Sequence, residues 1–121
     1  MTDTMSSSHV LTPVDCERML GNALRRLDEA TTDYATINER AAQAEADYRK
    51  AQAMKTLALL RHGDFASAKE RDARIDLECS DEREVHLLTE AARNSAREHL
   101  NTLRTRIEAL RTISASVRGQ A

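Results

Sequence analysis

The sequence predicts an all-α fold: a long antiparallel hairpin of two helices, coiled-coil-like, that completes its core by oligomerisation. Apolar residues recur in steps of three and four for about fifty residues on each side of Leu60-Arg61-His62-Gly63-Asp64-Phe65, the spacing of a buried helical face. That stretch also holds the one strong stop-and-start signal between Pro13 and Gly119. Gly63 can take the left-handed conformation that ends a helix, and Asp64 can cap the next one. Composition completes the case: the chain is 31% charged, with one Phe, two Tyr and no Trp in 121 residues. A compact globule normally draws several aromatics into its core, whereas Ala, Arg, Glu and Leu in excess mark long helices.

Residues 1–11 carry no periodicity and read as a disordered lead-in, with Met5 an alternative start. The helical domain spans 12–118. Thr12 caps its first helix, Pro13 suits the first helical position, and Asp15 and Glu17 complement the positive end of the dipole. That helix is expected over 13–61. Its stripe reads Leu20, Leu24, Leu27, Thr31, Tyr34, Ile37, Ala41, Ala44, Tyr48, Ala51, Met54 and Ala58, rich in Leu first and in Ala later. Gly21 costs its first part up to about 1 kcal/mol against Ala.

A turn at 62–64 leads to a second helix over 65–118, followed by a tail at 119–121. The second helix is strongest in its later half, through Leu88, Ala92, Ala96, Leu100, Leu103, Ile107, Leu110 and Val117, with Ser114 in one stripe position. Its earlier half is weaker. Ile75, Leu77 and Cys79 run into the polar segment Ser80-Asp81-Glu82-Arg83-Glu84, where a break would give shorter helices. Each helix would be about 70 Å long at 1.5 Å per residue.

Folding about Gly63 sets residue i opposite residue 127 − i. Cys16 then lies near Arg111 and Cys79 near Tyr48, about 45 Å apart along the axis. A disulfide needs Cα atoms within about 7 Å, so both cysteines are expected as small buried or half-buried thiols. Met19, Leu59, Leu87 and Ile113 fall off the main seam, and a lone helix pair buries little surface against the cost of ordering the chain. The first partner expected is therefore the protein itself, most simply as a dimer.

Several classes of chemistry find no footing. His9, His62, His86 and His99 show no metal-ligand spacing, and there is neither H-E-x-x-H nor C-x-x-C. Cys16 and Cys79 lack a base-orienter pattern, and Gly21, Gly63 and Gly119 are isolated rather than gathered in a phosphate loop. The acidic run Asp72, Asp76, Glu78, Asp81, Glu82 and Glu84 is interleaved with Arg71, Arg74 and Arg83, the pattern of a solvated face. No catalytic residue, cofactor or metal is expected. A formal charge of −2 exerts no overall pull on nucleic acid or membrane, and no apolar run approaches the roughly 20 residues of a span. With no signal-peptide pattern at its start, the chain is expected in the cytoplasm.

One feature invites a partner. Arg97, Arg104, Arg111 and Arg118 recur every seven residues beside the Leu100/Leu103/Ile107/Leu110 core, with Arg93 and Arg106 near them. Such a row suits phosphates or an acidic protein, or else ion pairs within the assembly, with Asp28 facing Arg97 and Asp15 or Glu17 facing Arg111. Aromatic side chains are missing there, which argues against base-stacking recognition of single strands.

The run Gly63-Asp64-Phe65-Ala66-Ser67-Ala68-Lys69 is followed by Glu90-Ala91-Ala92-Arg93 and by Leu103-Arg104-Thr105-Arg106-Ile107-Glu108-Ala109-Leu110-Arg111-Thr112-Ile113. Together they resemble a group of small helical proteins encoded by tailed phages of actinobacteria. The likeness covers roughly residues 20–118, and fifteen Arg against three Lys suits a GC-rich genome. It implies two long helices about a Gly-centred turn, encoded among recombination and replication genes, and brings no catalytic residues. Asp-Phe stands where Thr-Val is usual in the group's turn. Function is thus expected through protein–protein contacts, as a scaffold or adaptor, with nucleic-acid binding through the arginine row as the alternative.

Overall fold

The structure, a computed structural model, describes residues 10–63 and 66–120. These form three α-helices and no strand: α1 (Pro13–His62), α2 (Ala68–Glu78) and α3 (Ser80–Gln120). The start of α1 follows from its sequence. Thr12 Oγ1 accepts from the Asp15 N–H at 3.1 Å, and the Asp15 carboxylate accepts from the Thr12 N–H at 3.1 Å. Pro13 sits between them at the first helical position, completing a reciprocal cap. α1 then runs unbroken for 50 residues. It stops where Gly63 turns to φ +62° and its N–H donates to the Leu59 carbonyl at 2.8 Å, the left-handed C-terminal cap.

The next helix begins later than the turn signal suggests. Asp64, expected as its cap, and Phe65, expected as its first residue, lie outside the described residues, as do residues 1–9. The cap is Ser67, whose Oγ accepts from the Glu70 N–H at 3.1 Å while the Glu70 carboxylate accepts from the Ala66 N–H at 2.6 Å. Ser67-Ala68-Lys69-Glu70 is an S-x-x-E start signal, stronger than a lone Asp because two side chains satisfy exposed N–H groups together. The connection is therefore 63–67 in place of 62–64.

The expected continuous helix over 65–118 is divided. Cys79 leaves helical geometry at φ −101°, ψ 19°, and α3 starts at Ser80 with Asp81 and Glu82 in its first turn. The polar segment at Ser80 thus acts as a helix start, its acidic side chains matched to the new dipole. The junction costs few hydrogen bonds, since the Cys79 N–H donates to the Ile75 carbonyl and the Arg83 N–H to the Cys79 carbonyl, each at 2.9 Å.

The described residues fall into two compact units. One joins the chain up to Thr32 to the chain from Glu98 onward; the other is Asp33–Arg97. In the first, Ala23, Ile107 and Leu110 form a buried group on which Leu20 and Leu27 pack. In the second, Leu59, Ile75 and Cys79 are buried together under Tyr48 and Ala51. The longer connection moves the register by about one helical turn. A turn centred on Gly63 would set Ala23 opposite Arg104, yet Ala23 clusters with Ile107 and Leu110.

The seam also repeats differently. From Cys16 to Ala51 the inward positions on α1 run Cys16, Leu20, Ala23, Leu27, Ala30, Tyr34, Ile37, Ala41, Ala44, Tyr48 and Ala51, alternating steps of four and three; beyond Ala51 the inward side shifts to Gln52, Thr56 and Leu59. Leu24, Thr31, Met54 and Ala58, expected in the stripe, are exposed. A stripe counted at 3.6 residues drifts by about 20° per heptad, whereas sustained contact with another helix requires 3.5. The same heptad on α3 selects Glu82, His86, Thr89, Arg93, Ala96, Leu100, Leu103, Ile107, Leu110, Ser114 and Val117.

Candidate functional site

Within Asp33–Arg97, α3 presents Glu82, His86, Thr89 and Arg93 at the positions where a coiled coil normally places apolar residues. The inward positions of α1 in this unit include Ala41, Ala44 and Ala51, small side chains that leave room for long or planar ones. The His86 ring stacks on Tyr48, with centroids 5.5 Å apart and planes 23° from parallel. Tyr48 Oη accepts from Gln52 Nε2 at 3.0 Å. His86 Nε2 lies 3.8 Å from the Glu90 carboxylate, and Arg93 reaches the same carboxylate at 3.9 Å.

These are long pairs. His86 Nδ1 and Arg93 Nε are buried without a hydrogen-bond partner, although the two side chains are only 18% and 24% exposed. Polar groups in a coiled-coil seam cost stability and fix register, because every other alignment leaves them worse satisfied. This cluster is suited to setting the pairing of α1 with α3 in this unit. Among the described residues no group of His, Cys, Asp and Glu has the arrangement of a metal site.

Cys79 is fully buried at the junction of α2 and α3. Burial first, and then the Glu82 carboxylate, push its thiol above the ordinary range. That is the opposite of what an activated nucleophile needs. Cys16 is buried in the other unit.

The Asp33–Arg97 unit leaves several large apolar side chains exposed. Met54, Leu57 and Leu60 on α1 are 60%, 63% and 52% exposed. Leu77 on α2, and Val85, Leu87 and Leu88 on α3, are exposed as well. Leu88 also borders a shallow groove with Ile37, Arg40, Thr89 and Ala92. No described helix is long and apolar enough to cross a membrane.

The expected core residues divide between interior and surface. Leu100, Leu103, Ile107 and Leu110 are buried; Leu20, Leu27, Tyr34 and Tyr48 are half-buried; Leu24 and Leu88 are exposed. Ala23 takes the inward position beside Leu24, and His86 and Thr89 take those beside Leu88. His86 and Arg93 are polar, so apolar steps alone do not mark them as seam residues. Extending the Leu100/Leu103/Ile107 spacing backward by heptads would have found them.

Arg97, Arg104, Arg111 and Arg118 are all exposed. Two of them have local partners: Arg111 pairs with Glu108 at 2.9 Å and Arg104 reaches Asn101 Oδ1 at 3.5 Å, both on α3. Among the described residues no ion pair joins this row to α1. Asp15, expected opposite Arg111, pairs with Arg18 on its own helix at 3.0 Å. No protein family, curated protein or solved structure matches the chain.

Proposed function

We propose that this chain is a non-enzymatic coiled-coil interaction protein, a phage-encoded scaffold or adaptor of the cytoplasm. It works through protein–protein contacts and self-associates, most simply into a dimer with a four-helix core. One observation carries the reading: the end of α1 is apolar on two sides. Leu59, Tyr48 and Ala51 pack inward, while Met54, Leu57 and Leu60 point outward and stay more than half exposed. A helix apolar on both sides is made to be covered on both, and contiguous exposed apolar surface marks an interaction site. The test is the mass of the purified protein by light scattering at micromolar concentration. A mass above that of one 13.5 kDa chain is expected, and a stable helical monomer refutes self-association.

The arginine row supports a second reading, an accessory nucleic-acid-binding protein of a recombination or replication module. Arg104, Arg111 and Arg118 are exposed on one helix at heptad spacing, without partners across the seam among the described residues. Phosphate contact would make DNA binding fall with salt, the slope growing by about 0.9 per duplex phosphate neutralised. Binding near physiological salt that Arg104→Gln/Arg111→Gln abolishes, with helicity and mass intact, would favour this reading. The first reading expects no DNA binding by either protein.

A further inference from the structure

We infer that one flank of the α1–α3 pair, in the unit formed by the chain up to Thr32 and from Glu98 onward, docks an acidic amphipathic helix of a partner protein. This rests on the interaction-protein reading and gives it a surface and a partner chemistry, separate from self-association. Contacts descend α3 as they ascend α1, Ala23 clustering with Ile107 and Leu110 and Tyr48 stacking on His86, so the two helices pair antiparallel. In such a pair the residues directly after the inward Ala23 and Ala30 share a flank with those directly after Leu103, Leu110 and Val117. That flank holds Leu24 and Thr31 on α1, and Arg104, Arg111 and Arg118 on α3, all exposed.

Coiled coils ordinarily set opposite charges against each other at these positions. Here the α1 side offers Leu24, 41% exposed, and Thr31, whose hydroxyl donates back to the Leu27 carbonyl at 2.7 Å. Gly21, about a turn before Leu24, adds no side chain to the strip. Glu17 stands at its Arg111 end, yet among the described residues the one carboxylate within ion-pair distance of the row is Glu108, on α3 itself and 73% exposed. Three guanidinium groups thus edge an apolar strip over about 21 Å of helix. That pairing of features chooses the occupant. A helix laid along the flank can place apolar residues over Leu24 and carboxylates over Arg104, Arg111 and Arg118, which their forked donors hold well. A second copy presenting the same flank brings its own three arginines, so the excess positive charge at these positions doubles instead of cancelling. A duplex backbone offers phosphate throughout and nothing for Leu24, and would meet Glu17 and Asp28 on the α1 side.

The test is fluorescence anisotropy with the full chain and a labelled peptide of about 20 residues, roughly 30 Å of helix. The peptide carries leucines at steps of three and four with glutamates beside them. It should bind, and a peptide with lysines in place of the glutamates should bind about tenfold more weakly or worse. Leu24→Gln and Arg104→Gln/Arg111→Gln should each weaken the glutamate peptide by about tenfold or more. Helicity by circular dichroism should stay unchanged, because all three positions are exposed. Should Leu24→Gln lose helicity, Leu24→Ala replaces it. Equal binding of the two peptides, or binding that either variant leaves intact, overturns the inference. So does a wild type that binds neither peptide, while its mass by light scattering still decides self-association. Duplex DNA bound near physiological salt, and lost with the arginine variant alone, overturns it in favour of phosphate contact. A self-associated mass that falls in Leu24→Gln overturns it in favour of a second copy on this flank.

Discussion

Replacing His86 with Leu should make the protein more stable, although it removes a ring stack and a long approach to a carboxylate. The His86 side chain is only 18% exposed, and its Nδ1 is buried with no partner. A buried polar atom left unsatisfied costs about 1–3 kcal/mol, and that cost disappears with the ring. Leu at the same seam position gains part of the roughly 1.5–3 kcal/mol of full apolar burial. Against this stand the Tyr48 stack, about 0.5–1.5 kcal/mol, and the 3.8 Å approach to the half-exposed Glu90, worth at most about 0.5 kcal/mol at that exposure. The balance is a gain of about 1–2 kcal/mol. For a chain of this size that raises Tm by about 4–8 °C. The assay is thermal and urea unfolding followed at 222 nm, at pH 8 and one fixed protein concentration, since self-association also shifts Tm. His86→Asn serves as the control and should destabilise, because it keeps a polar group in the seam and loses the stack. A His86→Leu protein no more stable than the wild type would refute the reasoning: the ring would then be satisfied in a way its surroundings do not provide.

Other substitutions test burial and backbone geometry. Ile107→Ala, in the buried group with Ala23 and Leu110, should cost about 2–5 kcal/mol in urea unfolding. Leu88→Ala, at a side chain 63% exposed, should change stability by no more than about 0.5 kcal/mol. Equal costs would refute the heptad seam. Gly63→Ala should cost about 1–2 kcal/mol because of its φ of +62°. An added Cβ meets nothing within 4 Å, so a much larger loss would refute a purely conformational origin. Cys79 should resist a thiol reagent at pH 8 in folded protein and react fully in urea, being buried with its thiol pushed upward. Because the folded thiol holds its proton more tightly, its contribution to stability is whole below the ordinary thiol range, about 8.5, and is lost as pH rises beyond it. Fast labelling of the folded Cys79 would contradict its burial.

The helical class, the Thr12–Asp15 start, the Gly63 stop and the Leu100/Leu103/Ile107/Leu110 core follow from local chemistry. A cap, a left-handed glycine and a three-four apolar repeat each act within a few residues, so the sequence alone determines them. The break at Cys79 was half legible: Ser80-Asp81-Glu82 marks a helix start, but only packing decides that a buried cysteine forms the junction. Register and seam belonged to tertiary structure. Moving the connection from 62–64 to 63–67 shifts the facing residues by a helical turn, and local propensity does not resolve a few residues of loop. Contact between helices replaced the 3.6-residue stripe with a 3.5-residue one, turning Leu24 and Leu88 outward and Ala23, His86 and Arg93 inward. The candidate surfaces depend on that choice. Leu57 and Leu60 were legible as apolar residues, but their exposure opposite the packed side of α1 exists only once Tyr48, Ala51 and Leu59 have claimed the inner face. A sequence lists which side chains avoid water; only the pairing of helices decides which of them still need a partner.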